Sequence, residues 1–405
     1  MNTLHHTLRY STFAFLIGTS SITSAVEPPQ ETAPEPNPKA LAISSDTSKA
    51  KADMPLKIDG QPRIEITFVL DTTGSMSGLI EGAKQKIWSI ASDIISAKPK
   101  PLIRFGLVGY RDRGDDYVTK RAALTDDLDT IYAELQKFKA DGGGDTPESV
   151  SEALHEALTQ MPWTKEGNVL KVIYLVGDAP PQEYKDGKDW REVCKQAMTQ
   201  GIHINTIQCG SMPETTTLWK MIASYCEGAY AMIPQDGNMV SIAAPQDEEL
   251  LTLNEEIGKT LIPYGKESVR NAVISKQKTA EVASPVANAS RLKYNSISEK
   301  VVQGTGELID AIKDGKQKLD DVKPADLPED LRGLSQTELK EHIEKKQIKR
   351  AEIQTRITTL VKERDAFIKA EREKQSAINQ GDSFDTQVAQ TLREQARKKG
   401  IVLEK

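Results

Sequence analysis

The apolar run Ile64 to Leu70, IEITFVL, ends in Asp71, and Thr72, Thr73, Gly74, Ser75, Met76 and Ser77 follow directly. One carboxylate and alternate hydroxyls therefore meet in a single turn. Two further oxygen-bearing turns lie downstream, Gly142 to Thr146 and Asp178 at the end of VIYLVGD. These side chains offer only oxygen. Hard cations such as Mg²⁺ take oxygen ligands at about 2.0 to 2.1 Å in an octahedral array and retain water, so hydroxyls with few carboxylates suit them, and Mn²⁺ or Ca²⁺ would also accept such donors. The three cysteines, Cys194, Cys209 and Cys226, have no CxxC spacing and no His at metal-ligand distance, which disfavours a zinc or dithiol redox site.

The elements that must position these turns can be read from hydrophobic period. Ile64 to Leu70 is a largely β-branched, apolar run bounded by turn residues, as in a strand buried on both faces. Leu79, Ile80, Ala83, Ile87, Ile90, Ala91 and Ile94 then recur at three and four residue steps, one face of an amphipathic helix. The alternation continues with a strand at 103–110, helices at 128–138 and 150–161, a strand at 170–176, a helix at 190–198, a strand at 202–208, a helix at 218–226, a strand at 229–233 and a helix at 250–261. Such a pattern predicts an α/β, Rossmann-like doubly wound fold: a mostly parallel sheet covered on both faces, with 117–124 as an antiparallel edge strand. In an open sheet of this kind ligands collect beyond the carboxyl ends of the strands, where Asp71 and Asp178 fall.

At this point the sequence resembles the von Willebrand factor type A family, whose metal site combines an Asp-x-Ser-x-Ser turn, a separate Thr and a separate Asp. The motifs DTTGSM, GGGDTPE and LVGDAPP look most like bacterial exported members and the amino-terminal domain of hemicentins. Asp71, Thr73 and Ser75 match the first turn, Thr146 the lone Thr and Asp178 the later Asp. Thr73 stands where Ser is commoner, keeping the hydroxyl, and Ala179-Pro180-Pro181 replaces the usual Gly after the last Asp. The resemblance implies that Thr73 and Ser75 touch the metal directly, Thr146 does so in the ligand-competent state, and Asp71 and Asp178 act largely through water. It also implies that an Asp or Glu carboxylate of a protein partner fills an open coordination position, since a cation with few directly bound carboxylates remains under-neutralised.

Two catalytic alternatives fit the spacing less well. An aspartyl phosphatase would use Asp71 as nucleophile, but Thr73 stands where a second acid is needed to protonate the leaving group. A serine hydrolase is disfavoured because GSMSG centres Met76 in the G-x-S-x-G frame. The expectation is a non-enzymatic binding module. YRDRGDDY contains the integrin-recognisable triplet Arg113, Gly114 and Asp115, which a polar loop of this composition commonly contains by chance.

Flanking regions have different compositions. Residues 1–25 order a weak positive charge at Arg9, an apolar stretch from Tyr10 to Ile22 and small residues to Ala25, as in a signal peptide, implying export to the periplasm or beyond the cell. The stretch falls short of the ~20 apolar residues that span a bilayer, so no transmembrane segment is expected in the mature chain. Residues 26–61 are rich in Pro, Ala and Ser, like a disordered linker, and 62–263 form the α/β domain. Residues 264–335 read as a polar, partly helical connector and 336–405 as a charged helical, coiled-coil-like region. Within it, Leu339, Ile343, Ile353, Ile357, Leu360 and Phe367 follow an imperfect heptad interrupted by Lys346, Arg350 and Arg364. Self-association through these helices, with the α/β domain as a passive cap, is the structural alternative. A net charge of -6 over 405 residues gives no electrostatic reason to expect nucleic acid or an anionic membrane as a partner.

The fold also bears on the cysteines. Cys194 early in its helix and Cys209 just past a strand should both lie near the metal face. Cys226, about eleven helical residues further at ~1.5 Å each, should lie roughly 16 Å away. Any disulfide is therefore expected between Cys194 and Cys209, the other outcome being that all three remain free.

Overall fold

Alternate residues of the first strand, β1 (Arg63–Asp71), feed two different cores. Ile64, Ile66, Phe68 and Leu70 enter one apolar cluster and Val69 the other, so side-chain alternation alone commits the strand to burial on both faces. A computed structural model of the chain describes residues 60–144, 146–165, 168–376 and 382–403. The expected leader and nearly all of the expected linker lie outside the described residues. No helix among the described residues is long and apolar enough to cross a membrane.

After β1 come α1 (Ser77–Ile95), β2 (Leu102–Tyr110), β3 (Thr119–Thr125), α2 (Leu128–Gln136), α3 (Val150–Thr159), β4 (Val169–Gly177), α4 (Trp190–Thr199), β5 (Ile202–Cys209), α5 (Pro213–Tyr225), β6 (Tyr230–Ile233) and α6 (Asp247–Gly258). The six strands form one sheet in the order β3-β2-β1-β4-β5-β6. All neighbours are parallel except β2 and β3, which places the antiparallel strand at the edge as its position in sequence predicts. Pairing of Asp71 with Tyr110 and of Leu70 with Val176 brings the ends of β1, β2 and β4 to one level. Asp178, two residues past Val176, leaves the sheet beside Asp71.

Helices α3, α4 and α5 cover one face, where Val150, Leu154, Val193 and Trp219 are buried with Ile173 and Leu175. On the other face the α1 stripe packs with α2 residues Leu128, Ile131 and Leu135. Trp88 of α1 is fully buried, its ring 5.7 Å from that of Tyr132 and 5.6 Å from that of Tyr294.

The region beyond residue 263 is helical, as expected, and it packs back onto the sheet. It folds into α7 (Glu267–Glu281), α8 (Pro285–Ser298), α9 (Leu308–Lys313), α10 (Gln336–Ser376) and α11 (Phe384–Lys398), and the described residues form one compact unit. The last helix closes the α/β core: Phe384, Val388, Leu392 and Ala396 join the α1 cluster, with the Phe384 ring 6.0 Å from Phe68. The Tyr174 hydroxyl of β4 donates to the Val388 carbonyl at 3.1 Å, and Asn205 and Gln395 exchange amide hydrogen bonds of 3.1 and 2.9 Å. Lys98 and Val402 then form an antiparallel bridge. A boundary at residue 263 therefore does not separate the sheet from its covering.

The charged seam of α10 has the same explanation. Arg350 is buried and donates to Glu307, Asp310 and Thr260, while Arg364 is buried against Asp247 at the start of α6. Leu339 and Ile343 pack with Ile262 and Leu308, and Ile353, Ile357 and Leu360 pack with Leu250, Leu253 and Leu292. Two of the interruptions, Arg350 and Arg364, are thus intramolecular ion-pair positions, Lys346 donates to the Lys259 carbonyl, and most of the heptad's apolar residues are consumed within the same chain. Arg291 of α8 performs the corresponding task for α2, donating to Asp129 at 2.7 Å in a buried pair.

The cysteine placement needs correction. All three are free and buried. Cys194 and Cys226 share a core cluster, while Cys209 faces the opposite side of the sheet. The expectation assumed that α4 starts at the metal face. Twelve residues separate the end of β4 from Trp190, which lets α4 begin lower, and the Cys226 carbonyl accepts from Ile204 near the start of β5.

Because α11 seals the β1 and β4 face, Phe384→Ala should cost about 3–5 kcal/mol by opening a cavity in that core. Urea unfolding of the full chain measures this directly. A loss below about 1 kcal/mol would contradict the burial of that ring.

Candidate metal centre

At the end of β1 the backbone turns sharply through a 3-10 segment at Gly74–Met76 before α1 begins. Thr73 is held extended at its start, with φ -71° and ψ 166°. The Thr73 backbone N–H and hydroxyl both donate to Asp71 Oδ1, at 2.9 and 2.7 Å, and the Thr73 and Ser75 hydroxyl oxygens are 3.3 Å apart. Asp71 and Thr73 are buried, while Ser75 is exposed. This grades the turn from an interior carboxylate to a hydroxyl in solvent.

The other two loops are drawn onto the turn by backbone contacts. The Gly74 N–H donates to the Gly142 carbonyl at 3.2 Å. Gly143, at φ +78°, has no side chain to collide with Thr73, whose Cβ lies 2.9 Å from the point a Gly143 Cβ would occupy. Gly177 similarly leaves room for Asp71, a Cβ there lying 3.0 Å from Asp71 Oδ2. Glu148 donates its N–H to Pro180 at 3.0 Å and accepts from Gln182 at 2.7 Å, joining the loop before α3 to the loop after β4. Thus Asp71, Thr73, Ser75 and Asp178 are assembled. Thr146 lies exposed in the adjoining loop and, among the described residues, shares no hydrogen bond with these four.

Several residues that complete the site carry no signal in the motif. Gln235, just past β6, donates to Asp178 Oδ2 at 2.6 Å and to the Ser75 carbonyl at 3.4 Å, spanning the two loops. The loop after β2 acts as a brace. Arg111 donates to the Thr72 and Lys139 carbonyls, Asp112 accepts from Ser149 and Tyr184, and Asp115 accepts from Gly143 N–H. Arg113 pairs with Asp186 at 2.7 Å and lies over the Tyr184 ring. The Arg113 and Asp115 side chains of the RGD triplet are therefore engaged within the molecule.

The electrostatics are those of a place made for positive charge. Burial, then the negative Asp178, pushes the Asp71 carboxyl up to about 7 against the opposing hydrogen bonds from Thr73. Glu148 is pushed up to about 9, first by burial and then by Asp71, Asp112, Asp115 and Asp178. Asp71 Oδ2 and Glu148 Oε2 are buried with no hydrogen-bond partner. Orphaned acceptors of this kind carry a desolvation cost that a cation or its bound water removes. Among the described residues no three Asp, Glu, His or Cys groups form a cage by themselves, as expected where hydroxyls supply part of the donor set. The residues present therefore fit an oxygen-liganded divalent cation.

An open, mostly parallel α/β sheet with this turn at its central strand defines a class of domain. A family model described as von Willebrand factor A domain matches residues 65–231, and that stretch of the chain belongs to the von Willebrand factor A domain family. Human von Willebrand factor A domain-containing protein 7 is 32% identical over 126 residues, covering 31% of this chain and 13% of that protein. An ariadne-like RING finger protein of Acanthamoeba polyphaga mimivirus is 22% identical over 247 residues, 55% of this chain and 24% of that protein. The matches thus span under a quarter of these relatives' lengths. Among solved structures, the SpRpn10 VWA domain aligns at a TM-score of 0.34 with 14% identity, over 43% of this chain and 89% of that one. Proximal thread matrix protein 1 from the mussel byssus, solved with a zinc-occupied MIDAS motif, aligns at 0.33 with 18% identity, over 45% of this chain and 44% of that one.

The raised pKa of Asp71 has a definite sign. Because its folded value of about 7 exceeds the ordinary 3.8, its favourable contribution is fully present below about pH 4 and is lost as pH rises through about 7. In chelator, the wild type should lose more thermal stability between about pH 5 and pH 8 than Asp71→Asn, whose amide does not titrate. Calorimetric scans with equal pH slopes for both proteins would contradict the assignment.

Proposed function

We propose that the domain is a metal-dependent protein-binding module, with Mg²⁺ held by Asp71, Thr73, Ser75, Thr146 and Asp178 and a coordination position left open for an Asp or Glu carboxylate of a partner. Mn²⁺ or Ca²⁺ could replace Mg²⁺ in an all-oxygen site. The observation that carries this reading is the turn itself: Ser75 is exposed, Thr73 adjoins it at 3.3 Å, and buried Asp71 keeps one oxygen without a partner. Exposed hydroxyls leave the cation accessible, and neutral donors leave it positive enough to attract an anionic oxygen.

The same chemistry supports a non-enzymatic role. Asp71 is hydrogen-bonded by the residue two positions on, Thr73, and that residue offers no second carboxyl for leaving-group protonation. The leader-like composition of the first 25 residues supports an exported setting for the module, periplasmic or extracellular. Burial of the α10 apolar seam within its own chain leaves the oligomerising alternative without its main surface.

Calorimetric titration of the full chain with Mn²⁺ tests the reading. Ser75→Ala and Asp178→Ala should each weaken binding at least about tenfold with little change in the thermal melt. With the wild type loaded, acetate should displace a metal-bound water, seen as a fall in water-proton relaxation. Equal affinity in all three proteins would remove the proposal.

A further inference from the structure

Glu148 belongs to no part of the five-residue donor set, yet it is the most heavily enclosed acid beside Asp71. It is 3% exposed, and its Oε2 has no hydrogen-bond partner. Its Oε1 lies 3.5 Å from the point a Gly143 Cβ would take, and Thr73 Cβ lies 2.9 Å from that same point, so the carboxylate is aimed across Gly143 at the metal turn.

Local structure does not account for it. The contacts that join the two loops use only the Glu148 backbone, at 3.0 Å to Pro180 and 2.7 Å from Gln182. Although it stands two residues before α3, its side chain accepts no hydrogen bond from that helix, so it is not an N-cap. The charged groups that bear on it most, Asp71, Asp112, Asp115 and Asp178, are all acidic. A buried carboxylate so placed is neutralised either by a proton or by a positive charge, and the groups that bear on it most supply no positive charge.

We infer that Glu148 serves the cation as a third carboxylate, through a water held between its Oε2 and the metal. A water is the fitting intermediary, since Glu148, Asp71 and Asp178 do not form a three-acid cage of their own. The inference rests on the metal-site reading above and adds to it a regulator of charge. With Asp71 and Asp178 alone the formal charges of the acids balance a divalent cation. When the bound cation displaces the Glu148 proton, the third carboxylate strengthens cation binding and moderates the pull on an external carboxylate. The chain would then favour partners that supply more than a single isolated acidic side chain.

The test uses the full chain, Mn²⁺ and acetate. Glu148→Gln keeps shape and backbone bonds while removing the charge, and it should weaken Mn²⁺ binding about 10- to 100-fold, the range for an outer-shell partner. The same variant, once loaded, should bind acetate more tightly than the wild type does. Glu148→Asp should recover most of the Mn²⁺ affinity, which a purely structural role for the longer side chain would not allow. Unchanged Mn²⁺ affinity in Glu148→Gln, or a fall without tighter acetate binding, overturns the inference and leaves the five-residue site intact. A wild type that binds no Mn²⁺ sinks that site and this inference together.

Discussion

Carboxyl groups crowded at the ends of β1 and β4, Asp71 buried and Asp178 half-buried, are the constraint on which the site is built. Asp71 and Asp178 leave neighbouring parallel strands at the same level, and Glu148 is brought against them by backbone bonds to the loop after β4. Carboxylates in such surroundings repel one another and are poorly solvated. Three features hold them in place: hydrogen bonds from Thr73 to Asp71, the Gln235 amide on Asp178, and glycines at 143 and 177 that let the loops approach. A divalent cation resolves the same conflict chemically.

The rest of the molecule keeps this edge rigid. The sheet cannot shift without disturbing α11, which is bonded to β4 through Tyr174 and to β5 through Asn205. That helix returns to the sheet after the long excursion through α7 to α10, itself pinned by Arg291, Arg350 and Arg364 in buried pairs. Buried ion pairs contribute little net stability compared with apolar replacements, but removing one partner is costly, so they act as registration points between helices distant in sequence.

Much of this was legible from residue types. β-branched runs and a three-to-four residue period located the strands and most helices, because burial on two faces or on one stripe leaves different patterns. Asp71, Thr73, Ser75 and Asp178 could be placed because a strand end fixes where the next residue emerges. Glu148 could not. In sequence it is an acid just before a helix, which ordinarily marks a helix start, and what brings it to the site is its bridge to the loop after β4 at Pro181, a long-range pairing that residue types do not reveal. The role of α11 was hidden similarly: its amphipathic stripe says that one face is buried, but not that the other wall is β1 and β4. Arg350 and Arg364 looked like faults in a coiled coil because their partners Glu307 and Asp247 lie 43 and 117 residues away. The cysteines were misplaced because the starting height of α4 depends on the path of a loop rather than on helical rise.

The most direct measurement of the central claim is the anomalous diffraction of crystals of the full chain grown with Mn²⁺. The account predicts one strong anomalous peak among Asp71, Thr73, Ser75 and Asp178, with Ser75 in the inner shell and at least one further position filled by water or a carboxylate. Density showing these loops ordered with no manganese among them, or manganese bound only elsewhere, would contradict it.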